Sequence, residues 1–184
     1  MHFMITSTTY GAWLPGDPRG SVTSVRDRRE GEATSSHRLE HSTYGEPWEP
    51  QMIGLHHSAA QAMKGDPVRL SRAQAQVVVL QLRETASYRG WALLAVAVMA
   101  NHFHVVMSAS NDSDPQKILN DLKAYTSRAL NRKFGKPASA RWWTSGGSKR
   151  RLFNNAAIGG AIHYVRFKQF NPLIVWPPLE EPQL

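Results

Sequence analysis

The chain has 184 residues, carries 22 Lys and Arg against 14 Asp and Glu for a formal charge of +8, and contains no cysteine. That length suits one domain with a real hydrophobic core, and the missing thiols exclude disulfides and thiolate zinc sites, so any metal must be held by His, carboxylate, amide or hydroxyl groups. No apolar run approaches the roughly 18 to 20 residues of a membrane span, and the start MHFMITSTTYGAWL lacks the pattern of a signal peptide, so a cytoplasmic protein without a membrane partner is expected.

In chain order, HFMITSTTYGAWL mixes β-branched and aromatic residues and predicts a first strand, stopped by PGDPRG. Residues 20–66 lack periodicity and predict a loop-rich insertion with a short helix near HHSAAQAM. The adjacent His56 and His57 there are expected to face solvent. DPVRLSRAQAQVVVLQLRETASYRG predicts a helix capped by Ser71 and ended at Gly90. WALLAVAVM predicts a strand apolar on both faces, turning through ANH into an antiparallel partner, HFHVVMSA. SDPQKILNDLKAYTSRALNRKFG predicts a helix with Asp114 as N-cap, Pro115 in its first turn, an apolar stripe of Ile118, Leu122, Ala129 and Leu130, and Tyr125 at the stripe's border. ARWWTSGGSKRRLF reads as a strand, a Gly turn and a basic segment, followed by a helix NAAIGGAIHYVRFKQF and a Pro-rich tail. The order β, α, ββ, α, β is that of an α+β, ferredoxin-like split βαβ antiparallel sheet with helices on one face. A single domain over 1–184 is expected, with the insertion at about 20–66, a basic C-terminal extension at about 136–184 and a C-terminal helix within it.

The charge is uneven: from Lys117 to Lys168 twelve Lys and Arg stand against one acid, Asp121. Such a segment fits a polyanion, nucleic acid before membrane, or else a solvated basic face. Its candidate nucleic-acid contacts are Lys123, Arg128, Arg132, Lys133, Arg141, Lys149, Arg150 and Arg151, with Trp143 as a platform for an unpaired base; if RWW is a strand, one of Trp142 and Trp143 faces inward.

Two residues apart on one strand, His102 and His104 share a face and form half of a divalent-cation site, open to a carboxylate or amide, to water and to substrate oxygens. A hydrogen-bonded core pair has the same spacing. Tyr125 could attack a phosphodiester that a metal polarises, giving a phosphotyrosine, although an aromatic beside an apolar stripe also serves as packing.

VMANHFHVVM resembles the His-hydrophobic-His signature of the HUH nucleases, and with LNDLKAYTSRALNRKFG it is similar to the single-tyrosine transposases of the IS200/IS605 type. TTYGAWLPGDPRGSV, RGWALLAVAVMANHFHVV, DLKAYTSRALNRKFGKPASARWWTSGGSKRRL and AIHYVRFKQ together resemble the REP-associated branch over nearly the whole chain apart from the insertion. The resemblance implies a metal-dependent, single-stranded DNA endonuclease and strand transferase acting on hairpin or palindromic DNA, associated with the bacterial nucleoid. It implies His102 and His104 as ligands of Mg²⁺ or Mn²⁺, Tyr125 as the nucleophile that takes the 5′ phosphate, and a monomer or homodimer, some relatives exchanging the tyrosine helix. The family places Gln or Asn one turn after the tyrosine, whereas Ala129 stands there in this chain. Asp121, one turn before Tyr125, is the substitute expected, with Asn131 and Gln169 as remoter candidates.

Two other classes compete. A hairpin-binding module that has lost cleavage would keep the fold and charge. A metal-free two-histidine phosphoesterase would need a second, distant histidine motif, and only one paired site is seen.

Overall fold

β-branched and aromatic residues alternate along β1 (His2–Thr8), sending Phe3 and Ile5 into one core and leaving Met4 and Thr6 on the opposite face. The protein is represented by a computed structural model that describes residues 1–17 and 53–178. The chain divides into two units, Met1–Ala12 with Gly65–Leu184, and Trp13–Lys64. The second unit falls across the predicted insertion, most of which lies outside the described residues. Its helix α1 (Ile53–Gln61) coincides with the predicted short helix and buries none of its side chains. His57 is exposed and His56 half-buried.

The remaining elements are α2 (Arg72–Tyr88), β2 (Ala92–Val98), β3 (His102–Ser108), α3 (Pro115–Phe134), β4 (Ser148–Leu152), α4 (Asn155–Phe167) and β5 (Ile174–Trp176). Local chemistry sets their ends. Ser71 and Gln74 form a reciprocal capping box at the start of α2. Asp114 accepts from the Gln116 N–H with Pro115 in the first turn of α3, and Gly135, at φ 78°, ends it. Asn154 accepts from the Ala157 N–H to start α4.

The strands form one antiparallel sheet in the order β4-β1-β3-β2-β5. Its first four strands, with α2 and α3, are the expected ferredoxin-like arrangement. Phe103, Val105 and Met107 of β3 pack with Val78 and Leu82 of α2 and Ile118 and Leu122 of α3 on one face. The other face holds a second core, where Ala95, Ala97 and Val106 meet Ala161 and Val165 of α4. The C-terminal helix thus covers the face that α2 and α3 leave open, and the alanines of β2 let it approach closely.

Two local expectations are corrected. RWW is not a strand: Trp143 makes only an isolated bridge to Thr9, and the strand is the basic segment Ser148–Leu152. The Pro-rich tail contributes a fifth strand, pairing Ile174 to Trp176 with Val98 to Val96. Gly147 leads into β4 because a Cβ there would sit 2.7 Å from the Thr6 carbonyl oxygen and 2.9 Å from Leu119.

Candidate active site

His102 and His104 project from β3 on the α4 side of the sheet, flanked by Thr8 and Thr6 on β1 and, beside His104, by Ala97 on β2. The small neighbours leave room for two rings whose centroids lie 4.8 Å apart, edge to face. Each Nδ1 is engaged. His102 Nδ1 lies 2.7 Å from Asn101 Oδ1, which can only accept, so this ring carries its proton on Nδ1 and its lone pair on Nε2. His104 Nδ1 lies 2.6 Å from Thr6 Oγ1, which can accept from the same tautomer. Asn101 and Thr6 are therefore orienting partners of the kind that metal-ligating histidines use, leaving two Nε2 atoms for a ligand.

Burial pushes the pKa of both rings down, and at His104, further disfavoured by the charge that His102 would carry, it falls to about 4. Both imidazoles are neutral at pH 7. Neutral nitrogen donors with anchored Nδ1 atoms fit a divalent cation such as Mg²⁺ or Mn²⁺.

The phenol beside this pair belongs to Tyr164. Its ring centroid lies 5.7 Å from that of His104, edge to face, and it remains 44% exposed. Tyr164 was missed by the sequence reading, which placed its segment on a helix without knowing which sheet face that helix covers. The signal was present: α2 and α3 fill one face of a split βαβ sheet, and the small-residue stripe Ala157, Ala161, Val165 makes the next helix the natural cover for the other.

Tyr125 is not brought to the histidines. Helix α3 turns Ile118, Leu119, Leu122 and Leu130 toward Phe103 and Val105, on the opposite face from His104. The Tyr125 ring lies there between the guanidinium groups of Arg89 and Arg128, at 5.9 and 5.2 Å. The same geometry corrects two ligand candidates. Asp121 pairs with Arg89 at 2.9 Å, and the Asn131 amide oxygen accepts from the Trp142 indole N–H at 2.8 Å, both on the α2–α3 side. Gln169 is the one candidate on the α4 side, where its amide donates to the Tyr164 backbone carbonyl at 3.0 Å. Among the described residues no group of three His, Cys, Asp or Glu stands together.

The basic set divides as well. Lys123 is a loop pin, its ammonium donating to the carbonyls of Thr144, Ser145 and Gly146, with its pKa lowered by burial and then by Lys149. Arg132 and Lys133 end α3, where cations oppose the helix dipole, and line a groove with Val77 and Leu80 of α2. Arg128 and Arg141 are exposed, Arg141 in the loop before β4. On β4, register puts Lys149 and Arg151 opposite Ile5 and Phe3, hence on the α3 face, and Lys149 donates to Gln116 of that helix at 2.6 Å. Arg150, opposite Met4, faces the histidine side.

Trp143 is no base platform. Both tryptophans are buried at 5% exposure; Trp143 packs edge to face on Phe103 and donates to Thr126 Oγ1 at 3.1 Å. Trp143→Phe is expected to lower stability by about 1–2 kcal/mol through the lost hydrogen bond and packing. Thermal melts should show that loss, while anisotropy with single-stranded DNA should show unchanged affinity.

Residues 70–150, which hold the histidine strand of the split βαβ sheet, match the family model described as "Transposase IS200 like". That segment holds both histidines, and over it the chain is similar to IS200-like transposases. Among solved structures the chain is similar to a REP-associated tyrosine transposase bound to a REP hairpin, with 12% identity and a TM-score of 0.47, covering 89% of this chain and 63% of that one. It is similar also to a candidate transposase from Deinococcus radiodurans R1, with 12% identity and a TM-score of 0.47, covering 90% and 88%. The chain thus spans less than two thirds of the length of the hairpin-bound protein. No curated protein matches it. Among the described residues no helix is long and apolar enough to cross a membrane.

Proposed function

We propose that the chain is a single-stranded DNA endonuclease and strand transferase acting on hairpin DNA, with Tyr164 in place of Tyr125 as its nucleophile. The observation that carries this reading is the Tyr164 ring 5.7 Å from His104, over a histidine pair whose Nδ1 atoms are both anchored. His102 and His104 would hold the divalent ion, and Gln169, just beyond α4, is the amide taken in this reading to add an oxygen. When bound, Mg²⁺ or Mn²⁺ polarises the scissile phosphodiester and offsets its charge.

The chain's own residues do the rest. Asn101 and Thr6 hold the rings with their Nε2 lone pairs free. Tyr164 loses its phenolic proton and its oxygen bonds to phosphorus; the bond from phosphorus to the 3′ oxygen breaks, and that oxygen takes up a proton. The products are a 5′-phosphotyrosine and a free 3′ hydroxyl, and attack by another 3′ hydroxyl reverses the step and joins strands. Arg150, which register puts on the histidine side of the edge strand, holds a phosphate in this reading.

Incubation with labelled hairpin single strands and Mn²⁺, followed by digestion and mass spectrometry, should find the nucleotide adduct on the peptide carrying Tyr164. An adduct on any other tyrosine overturns the assignment. The donor set favours one competing reading, a hairpin-binding module without cleavage, since no third acidic or imidazole group joins the pair among the described residues. Tight, metal-independent hairpin binding with no adduct under any metal would establish it.

A further inference from the structure

Aromatic surface is left exposed on and just beyond the helix that carries Tyr164. Phe167, one turn after Tyr164, is 53% exposed, and Phe170 is 89% exposed. The Phe167 ring is braced: the Arg166 guanidinium lies 5.1 Å from its centroid, and the His163 imidazole lies 5.2 Å away at a 38° tilt. Arg166 is itself tethered, donating to the Pro178 carbonyl at 3.3 Å. Single exposed apolar residues need no account, but Tyr164, Phe167 and Phe170 put three exposed aromatic rings within seven residues.

Resting on the reading of Tyr164 above, we propose that Phe167 and Phe170 form the platform on which unpaired bases next to the scissile phosphate stack. Charge selects this occupant over a protein surface. No acid occurs between Asp121 and Glu180, while Arg166 and Lys168 flank the rings. Aromatic planes among uncompensated cations are what a single strand requires, bases meeting π faces and phosphates meeting Lys and Arg. Residues three apart on a helix are neighbours, so a base on Phe167 brings its adjoining phosphate toward the Tyr164 hydroxyl. Trp142 and Trp143 are buried and offer no such surface, whereas Phe167 and Phe170 stand open beside Tyr164 in the chain.

The test uses the full chain carrying Tyr164→Phe, in EDTA, so that neither cleavage nor metal enters. Anisotropy compares a labelled hairpin with a single-stranded tail, the same hairpin without the tail, and a tailed hairpin whose tail bases are abasic. Phe167→Ala with Phe170→Ala should weaken tailed-hairpin binding roughly 5- to 100-fold, leave the tailless hairpin unchanged, and keep the slope of affinity against salt, because no phosphate contact is lost. Abasic tails should cost the parent a similar factor and the double variant little more. Tryptophan at both positions should restore affinity.

Unchanged affinity for the tailed hairpin overturns the proposal. So does an equal loss with the tailless hairpin, or a loss that tryptophan does not rescue. A change in oligomeric state without a change in DNA affinity also overturns it and assigns the rings to a second copy. The nuclease reading is separable: it fails if the unsubstituted chain, with Tyr164 intact and Mn²⁺ present, forms no adduct, whatever the anisotropy shows.

Discussion

Tyr164→Phe is expected to abolish covalent capture of hairpin DNA, and Tyr125→Phe to leave it within about twofold of the unsubstituted chain. The two substitutions remove the same single oxygen, so their contrast reports position alone. Tyr164 lies above His104, where a phosphate held by the histidine side would meet it. Tyr125 lies across the sheet, held between Arg89 and Arg128 on the outer side of α3. Removing a nucleophile leaves no alternative covalent route, so the Tyr164→Phe adduct should fall to background on denaturing gels. Tyr125→Phe should alter only local packing, read as a small change in thermal midpoint.

A mixing experiment tests which copy supplies the tyrosine. Because Tyr164 and His104 meet within one chain, Tyr164→Phe mixed with His104→Ala should remain inactive. Recovered adduct would show that a partner copy supplies the tyrosine. The inverse single-variant result, loss with Tyr125→Phe and retention with Tyr164→Phe, would sink the geometric assignment.

The placement of Tyr125 across the sheet from the histidines shows where the sequence stops being readable. Period-two alternation placed His102 and His104 on one face, and Ser71, Asp114, Pro115 and Gly135 marked helix ends correctly, because these signals are local. The split βαβ arrangement of the first four strands also followed, since such a unit has few topologies. Which helix covers the histidine face is instead decided by packing at long range, where Ala95 and Ala97 meet Ala161 and Val165. Tyr125 stands on a strongly amphipathic helix directly after the histidine strand, and that proximity in sequence was misleading. The same limit applies to Trp142 and Trp143. Their stretch reads as a strand by composition, yet two indole N–H groups satisfied by Asn131 and Thr126 hold both rings inside a loop. Basic residues were legible as charge but not as direction: Lys123 turned inward to a loop, and of the cluster on β4 only Arg150 faces the histidines.

The largest stability effect is expected from pH at His104. Its pKa falls from 6.5 to about 4 on folding, chiefly through burial and secondarily through His102. Between those values the unfolded chain binds a proton that the folded chain refuses. The associated stability is complete above pH 6.5 and is lost as pH falls toward 4, amounting to about 3 kcal/mol for a shift of this size. His102, also lowered by burial, contributes with the same sign. Denaturant melts from pH 8 to pH 4 should show the decline, and His104→Gln should flatten it by close to one proton, a comparison that cancels the carboxylates titrating in the same range. An equal slope in the two proteins would show that His104 titrates normally. The same shift governs the cation. A histidine of ordinary pKa loses roughly tenfold in metal affinity at pH 5.5 through proton competition, whereas His104 should lose almost none there and fail only near pH 4. Calorimetric titration with Mn²⁺ at pH 7 and 5.5 reads this difference. His104→Gln, which removes an imidazole donor and leaves Thr6 without its partner, should weaken binding at both values by tenfold or more.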